Sequence, residues 1–122
     1  MSAPLRRKTP LKRKKRIRTR SPDYDHVKRF GPPGFMDYIH ALPCCVPKCT
    51  NTHGVEAAHV PHLSQGGLWP DILPLCHADH RTGKMAHHAI GTARFVAEVL
   101  GAQAEKIRAR VAQGWIAWQA HR

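Results

Sequence analysis

The feature that most restricts this chain is a split set of sulfur and imidazole groups. "LPCCVPKCTN" carries Cys44, Cys45 and Cys49, and "LPLCHADH" supplies Cys76 much further along. These are the only four cysteines in the 122 residues, and they sit among histidines. Two disulfides would suit a secreted chain, but "MSAPLRRKTPLKRKKRIRTRSP" has no apolar run of a signal peptide,. Metal ligation is therefore the expectation. Either Cys44 or Cys45 pairs with Cys49 across a proline-containing knuckle, Cys76 joins from a distance, and the fourth ligand is His77, Asp79, His80 or His53. A structural zinc ion held this way would tie a hairpin to a distant turn, replacing a core that so short a segment cannot build. Without metal, Cys44 and Cys45 would read as small buried apolar residues.

Charge sets the second restriction. Twenty Lys and Arg face eight Asp and Glu, for a formal +12, and ten of those cations fall in the first twenty residues with no acid among them. Residues 1–22 hold Pro4, Pro10 and Pro22 with no apolar period, so they are expected to form a disordered basic arm. The phosphates of a polyanion are its natural partner. Arg6, Arg7, Lys8, Lys12, Arg13, Lys14, Lys15 and Arg16 are the candidate contacts. No run of eighteen apolar residues occurs, so a soluble, cytoplasmic protein without a membrane partner is expected,.

Residues 23–43 read as a linker ending in "GPPG", followed by a short helix in "FMDYIHAL" with Phe35, Ile39 and Leu42 on one side,. Residues 44–122 form the remaining domain, with a small core at about 44–90 and helices at about 92–122. "TARFVAEVLG" has an expected N-cap at Thr92 and a terminal glycine, and Ile107, Val111, Trp115 and Trp118 form an amphipathic stripe despite Gly114,. The stripe is expected to be core, with base stacking by Trp115 or Trp118 the lesser alternative.

The ordered motifs LPC, a second cysteine, "EAAHV", a GG-containing loop, "DILPLC", "HADHR" and a later "HH" before "GTARF" resemble an HNH nuclease of the ββα-metal type. Within that group they are most similar to small phage-type proteins related to the recombination-enhancement nuclease Ref. The resemblance covers residues 38–97 or so. It implies an α+β fold: a small zinc-stapled ββα-metal core, C-terminal helices and the basic arm. It also implies His59 as the general base and Asp71, in the place of a middle asparagine, as the brace of the loop carrying that base. His80 would open the helix as a ligand of a catalytic cation, Mg2+ or another divalent ion, with His88 or its neighbour His87 as a further ligand. Where many members carry Asp or His just before the base, this chain has Ala58, leaving Glu56 or Asp79 as additional donors.

The residue chemistry agrees with such a site. Phosphodiester hydrolysis needs a base of near-neutral pKa and a cation for the charge that develops on phosphorus and the leaving oxygen. A helix running through His80, Lys84 and His88 would put two ligands and a phosphate-facing cation on one side, although Gly83 interrupts it,. His62, following Pro61, reads as a loop residue facing solvent or contacting phosphate, with a site role the lesser alternative, and His26, His40 and His121 as surface residues.

The functional expectation is a metal-dependent DNA endonuclease of phage replication, recombination or genome processing, with a recombinase or phage replication protein as a further partner. The alternatives are a non-catalytic zinc-containing nucleic-acid-binding module and a recombination accessory factor.

Overall fold

The computed structural model of the protein describes residues 22–121. The basic arm expected over residues 1–22, with its eight candidate phosphate contacts, falls almost entirely outside the described residues.

The architecture is a small α+β unit. Helix α1 (Pro22–Phe30) and the short helix α2 (Phe35–His40) precede an antiparallel pair of strands, β1 (Val55–His59) and β2 (Ile72–Cys76). A π-helical turn (Ala78–Thr82), α3 (His87–Ile90) and α4 (Thr92–Arg94) follow. The chain then runs through a second π-helical stretch (Phe95–Leu100) to the long C-terminal α5 (Ala104–Ala120). Part of the segment expected to be a linker is thus helical. Gly31 and Gly34 have φ of 92° and 90°, so the GPPG turn itself separates α1 from α2 in a left-handed geometry suited to glycine,.

The strand register pairs Val55 with Cys76 and His59 with Ile72. Residues 60–71 therefore form the connection at one end of the ribbon, and Cys76 lies at the other. Because side chains alternate along a strand, Ala58 is buried in the core while His59 is only half-buried,. Pro74 has no N–H to give the ladder, but its carbonyl accepts from the Cys45 amide at 2.9 Å,. That bond lays the cysteine knuckle beside β2.

The core has two parts. Ala58, Val60, Leu73 and Leu75 pack against Phe95, Leu100, Ala104 and Ile107. Ile72 joins Phe35, Tyr38, Ile39 and Trp115. The expected stripe of α5 is indeed core, with Ile107 and Trp115 buried and Val111 and Trp118 packed against the second cluster. Gly114 has a packing reason. A Cβ there would fall on the Tyr38 hydroxyl, which donates to the Val111 carbonyl at 2.7 Å.

Two local expectations are corrected. Gly91, not Thr92, is the N-cap of α4; the Thr92 hydroxyl is engaged by side chains instead. The helix expected through His80, Lys84 and His88 is broken. Gly83 adopts an extended conformation after its N–H closes the π-turn on the Ala78 carbonyl at 2.8 Å, and α3 starts afresh at His87.

Candidate metal centre and histidine pocket

The sulfur site is assembled by backbone first. The Cys49 amide donates to the Val46 carbonyl at 3.0 Å, making a tight turn in which Lys48 has φ 72°, and the Cys44 amide donates to Asn51 at 3.0 Å. The knuckle then lies against the end of β2, and the π-turn presents Asp79 three residues after Cys76. The Cys44 and Cys76 thiols donate to Asp79 Oδ2 at 3.2 and 3.1 Å. Ligand atoms of Cys44, Cys49, Cys76 and Asp79 all lie within 4.8 Å of one another. A tetrahedral zinc ion, with Zn–S of about 2.3 Å, sets its sulfurs about 3.8 Å apart, so this donor set fits one ion. Burial pushes the Cys44 and Cys76 thiols up. A cation is what would make thiolates favourable there.

Cys45 stands outside this set. Its amide is fastened to the Pro74 carbonyl at 2.9 Å and its sulfur is not among the atoms that come together; burial pushes its thiol up to about 12. Of the four candidates for the fourth ligand, Asp79 is the one that converges. His53 is exposed, whereas His77 and His80 are both held by Glu56.

The second constellation lies at the other end of β1. His59, Ala57, His62, Leu63, Ser64, His80, Arg81, His88 and Phe30 line a cavity of about 460 Å³. His59 Nε2 lies 2.6 Å from the Arg29 carbonyl oxygen. A carbonyl only accepts, so Nε2 carries the proton and, in the neutral ring, Nδ1 keeps its lone pair. The Phe30 ring meets the imidazole edge-on, with centroids 5.5 Å apart. Helix α1 therefore fixes both tautomer and ring plane.

Glu56 organises the opposite wall. Its two carboxylate oxygens accept from His80 Nδ1 at 2.6 Å and from His77 Nδ1 at 2.8 Å. Burial alone would raise the Glu56 carboxyl, but the two imidazole hydrogen bonds leave it below its usual value. His80 is itself buried, and desolvation lowers its pKa despite the carboxylate. With Nδ1 committed, its Nε2 is left for the pocket. His88 is 4.8 Å from His80 between centroids, so the two candidate ligands meet although no continuous helix joins them. Lys84 is exposed, and it is not one of the residues lining the cavity.

Asp71 is outside the cavity and holds its rim. Asp71 Oδ2 accepts from the Leu68 amide at 3.1 Å, and the Asp71 carbonyl accepts from Val60 at 3.2 Å. Arg108 of α5 donates to the Val60 carbonyl at 2.7 Å and lies 3.8 Å from Asp71 Oδ1. The Asp71 side chain thus bonds within the 60–71 connection, beside an arginine that no motif marked.

His62, read from sequence as an ordinary loop residue, stacks on His87 at 3.8 Å and approaches His88 at 4.5 Å. Only its spacing from His59 signalled it. Burial first, then the neighbouring His62, His88 and His80, pushes His87 down to about 4. Arg29 and Phe30 carried no signal at all.

Comparison with protein-family models, with curated proteins and with solved structures returns no match for this chain.

Proposed function

We propose that the protein is a metal-dependent endonuclease of the HNH type that hydrolyses DNA phosphodiester bonds, in phage replication, recombination or genome processing. The observation that carries this reading is His59. It stands at the end of β1 with Nε2 tied to a backbone carbonyl, beside a cavity walled by His80 and His88 and edged by Arg81. The family resemblance implies two antiparallel strands followed by a helix; the strand pair supports the reading, while a π-helical turn and the separate α3 stand where the helix is expected.

His59 Nδ1 would accept the proton of the attacking water. Arg81, exposed at the cavity edge, would attract a phosphate oxygen, and Glu56 would keep His80 oriented. A bound divalent cation would supply charge neutralisation for the phosphate and the leaving oxygen. His80, His88 and His87 are its proposed holders. Zinc in the Cys44, Cys49, Cys76 and Asp79 set would be structural, and the basic N-terminal segment would hold DNA through its phosphates.

Two observations favour a second reading, a nucleic-acid-binding zinc module without catalysis. Helix α1 lies against His59, and Glu56 engages two imidazoles at once, an arrangement that a purely structural polar cluster would also adopt. A plasmid-nicking assay with Mg2+ or Mn2+ separates the two. The nuclease reading expects wild type to nick and His59→Ala to lose ~100- to 10,000-fold in rate, with zinc content and DNA affinity retained. A wild type that shifts plasmid without cutting it, with or without an added recombinase, supports the binding module. Cutting by His59→Ala at the wild-type rate removes His59 from the chemistry.

A further inference from the structure

We propose that His62, His87 and His88 form a second metal site, made wholly of imidazole nitrogen, that takes a borderline divalent transition metal such as Zn2+ rather than Mg2+. One ligand nitrogen from each ring lies within 4.8 Å of the others. The His62 and His87 rings are stacked at 18°, so the half-buried His62 ring turns about its side-chain torsions to bring its in-plane lone pair onto the ion,. His62 belongs to the segment joining β1 to β2, and His87 and His88 open α3. An ion here would tie that segment to the helix beside the cavity of His59.

His87 points independently to a ligand. Its side chain is fully buried, at 0% exposure, and its Nδ1 has no hydrogen-bond partner. Its other nitrogen has a defined role. His87 Nε2 lies 2.8 Å from the Thr92 hydroxyl, which in turn donates to Gln65 Oε1 at 3.3 Å; in this arrangement the hydroxyl oxygen accepts from Nε2–H. In the neutral ring that leaves a lone pair on Nδ1. A histidine whose distal N–H is held by an oxygen while the other nitrogen is bare has the arrangement of a metal ligand with its outer support. Left unmet, that buried acceptor would be destabilising; an ion satisfies it.

The donor chemistry selects the ion. Three imidazoles with no carboxylate or carbonyl among them suit Zn2+, Co2+ or Ni2+, whereas Mg2+ requires oxygen. The set shares His87 and His88 with the proposed cation holders but takes His62 in place of His80, whose Nδ1 Glu56 engages at 2.6 Å; the inference thus revises that ligand set, and one ion rather than two occupies His87 and His88. That the same ion serves DNA cleavage rests on the nuclease reading; the site itself does not.

The test uses the full chain, stripped of metal and reloaded, with no DNA present. Wild type should bind two Zn2+ per chain. With Co2+, one equivalent should give the thiolate charge-transfer band of the sulfur site, and the other only weak ligand-field bands. His62→Ala and His88→Ala, folded by circular dichroism, should each weaken the second ion by roughly 100-fold, and Thr92→Val by about tenfold. His80→Ala should keep it, and millimolar Mg2+ should not displace it. One ion per wild-type chain, unchanged affinity in His62→Ala, or loss in His80→Ala instead, would overturn the proposal. A chain that shows the expected binding pattern but never nicks plasmid would sink the nuclease reading and leave the site standing.

Discussion

His59 and Arg29 are thirty residues apart, and the imidazole Nε2 of the first lies 2.6 Å from the backbone oxygen of the second. The candidate base is thus oriented by the end of a helix that precedes the strand bearing it. The carbonyl cannot be mutated, but Phe30, whose ring meets His59 edge-on, can. Phe30→Ala should remove about 1 kcal/mol of aromatic contact and slow nicking roughly fivefold, leaving metal content and the circular dichroism spectrum unchanged. An unaltered rate in a folded variant would show that α1 does not orient the base.

Asp79 stands three residues after Cys76, where a cysteine would complete a Cys-x-x-Cys pair. Asp79→Ala should weaken zinc at least roughly tenfold, and Asp79→Cys should restore or tighten it, as measured by competition with a chromophoric chelator. Cys45→Ser should change nothing in that assay. Equal affinities for all three variants would place the zinc elsewhere.

Asp71→Ala removes the acceptor of the Leu68 amide, and should cost about 1–2 kcal/mol in urea denaturation while exposing residues 60–71 to limited proteolysis. Asp71→Asn keeps an acceptor oxygen and loses only a 3.8 Å, partly exposed ion pair with Arg108, so it should behave nearly as wild type. If both substitutions are silent, the loop is held without this side chain.

Replacing Gly114 by alanine would gain about 1 kcal/mol in an open helix. Here the new methyl falls on the Tyr38 hydroxyl, so a net destabilisation of about 1–3 kcal/mol is expected from thermal unfolding. Tyr38→Phe removes the obstructing oxygen. The double variant should therefore lose less than the sum of the two single ones, and strict additivity would refute the contact.

Deleting residues 2–20 removes all ten cations of the first twenty positions. DNA affinity should fall similarly for every sequence, and the salt dependence should flatten as counterion release is lost. A preserved salt slope in filter-binding titrations would mean that the described domain carries the phosphate contacts.

Whatever depends on local pattern and on chemical kind could be read directly from the order of residues. The stripe through Ile107, Val111 and Trp115 marked the core face of α5 because helical period alone decides which residues share a side,. The cysteines limited the sulfur site to a handful of donors, and proline and glycine placed the turn before α2. Whatever required two distant segments to meet came from the packing of the folded chain. Cys44 rather than Cys45 faces Asp79 because the Cys45 amide is fastened to Pro74 of β2, which sets the facing of the whole knuckle. His62 reaches His87 only because the strand register throws residues 60–71 over the start of α3. Arg29 offers a backbone oxygen, an atom every residue has, so no sequence pattern could single it out. Ligand type is a property of residues, but convergence of lone pairs on one point is a property of the packed chain, where angstrom-scale distances are fixed by the core.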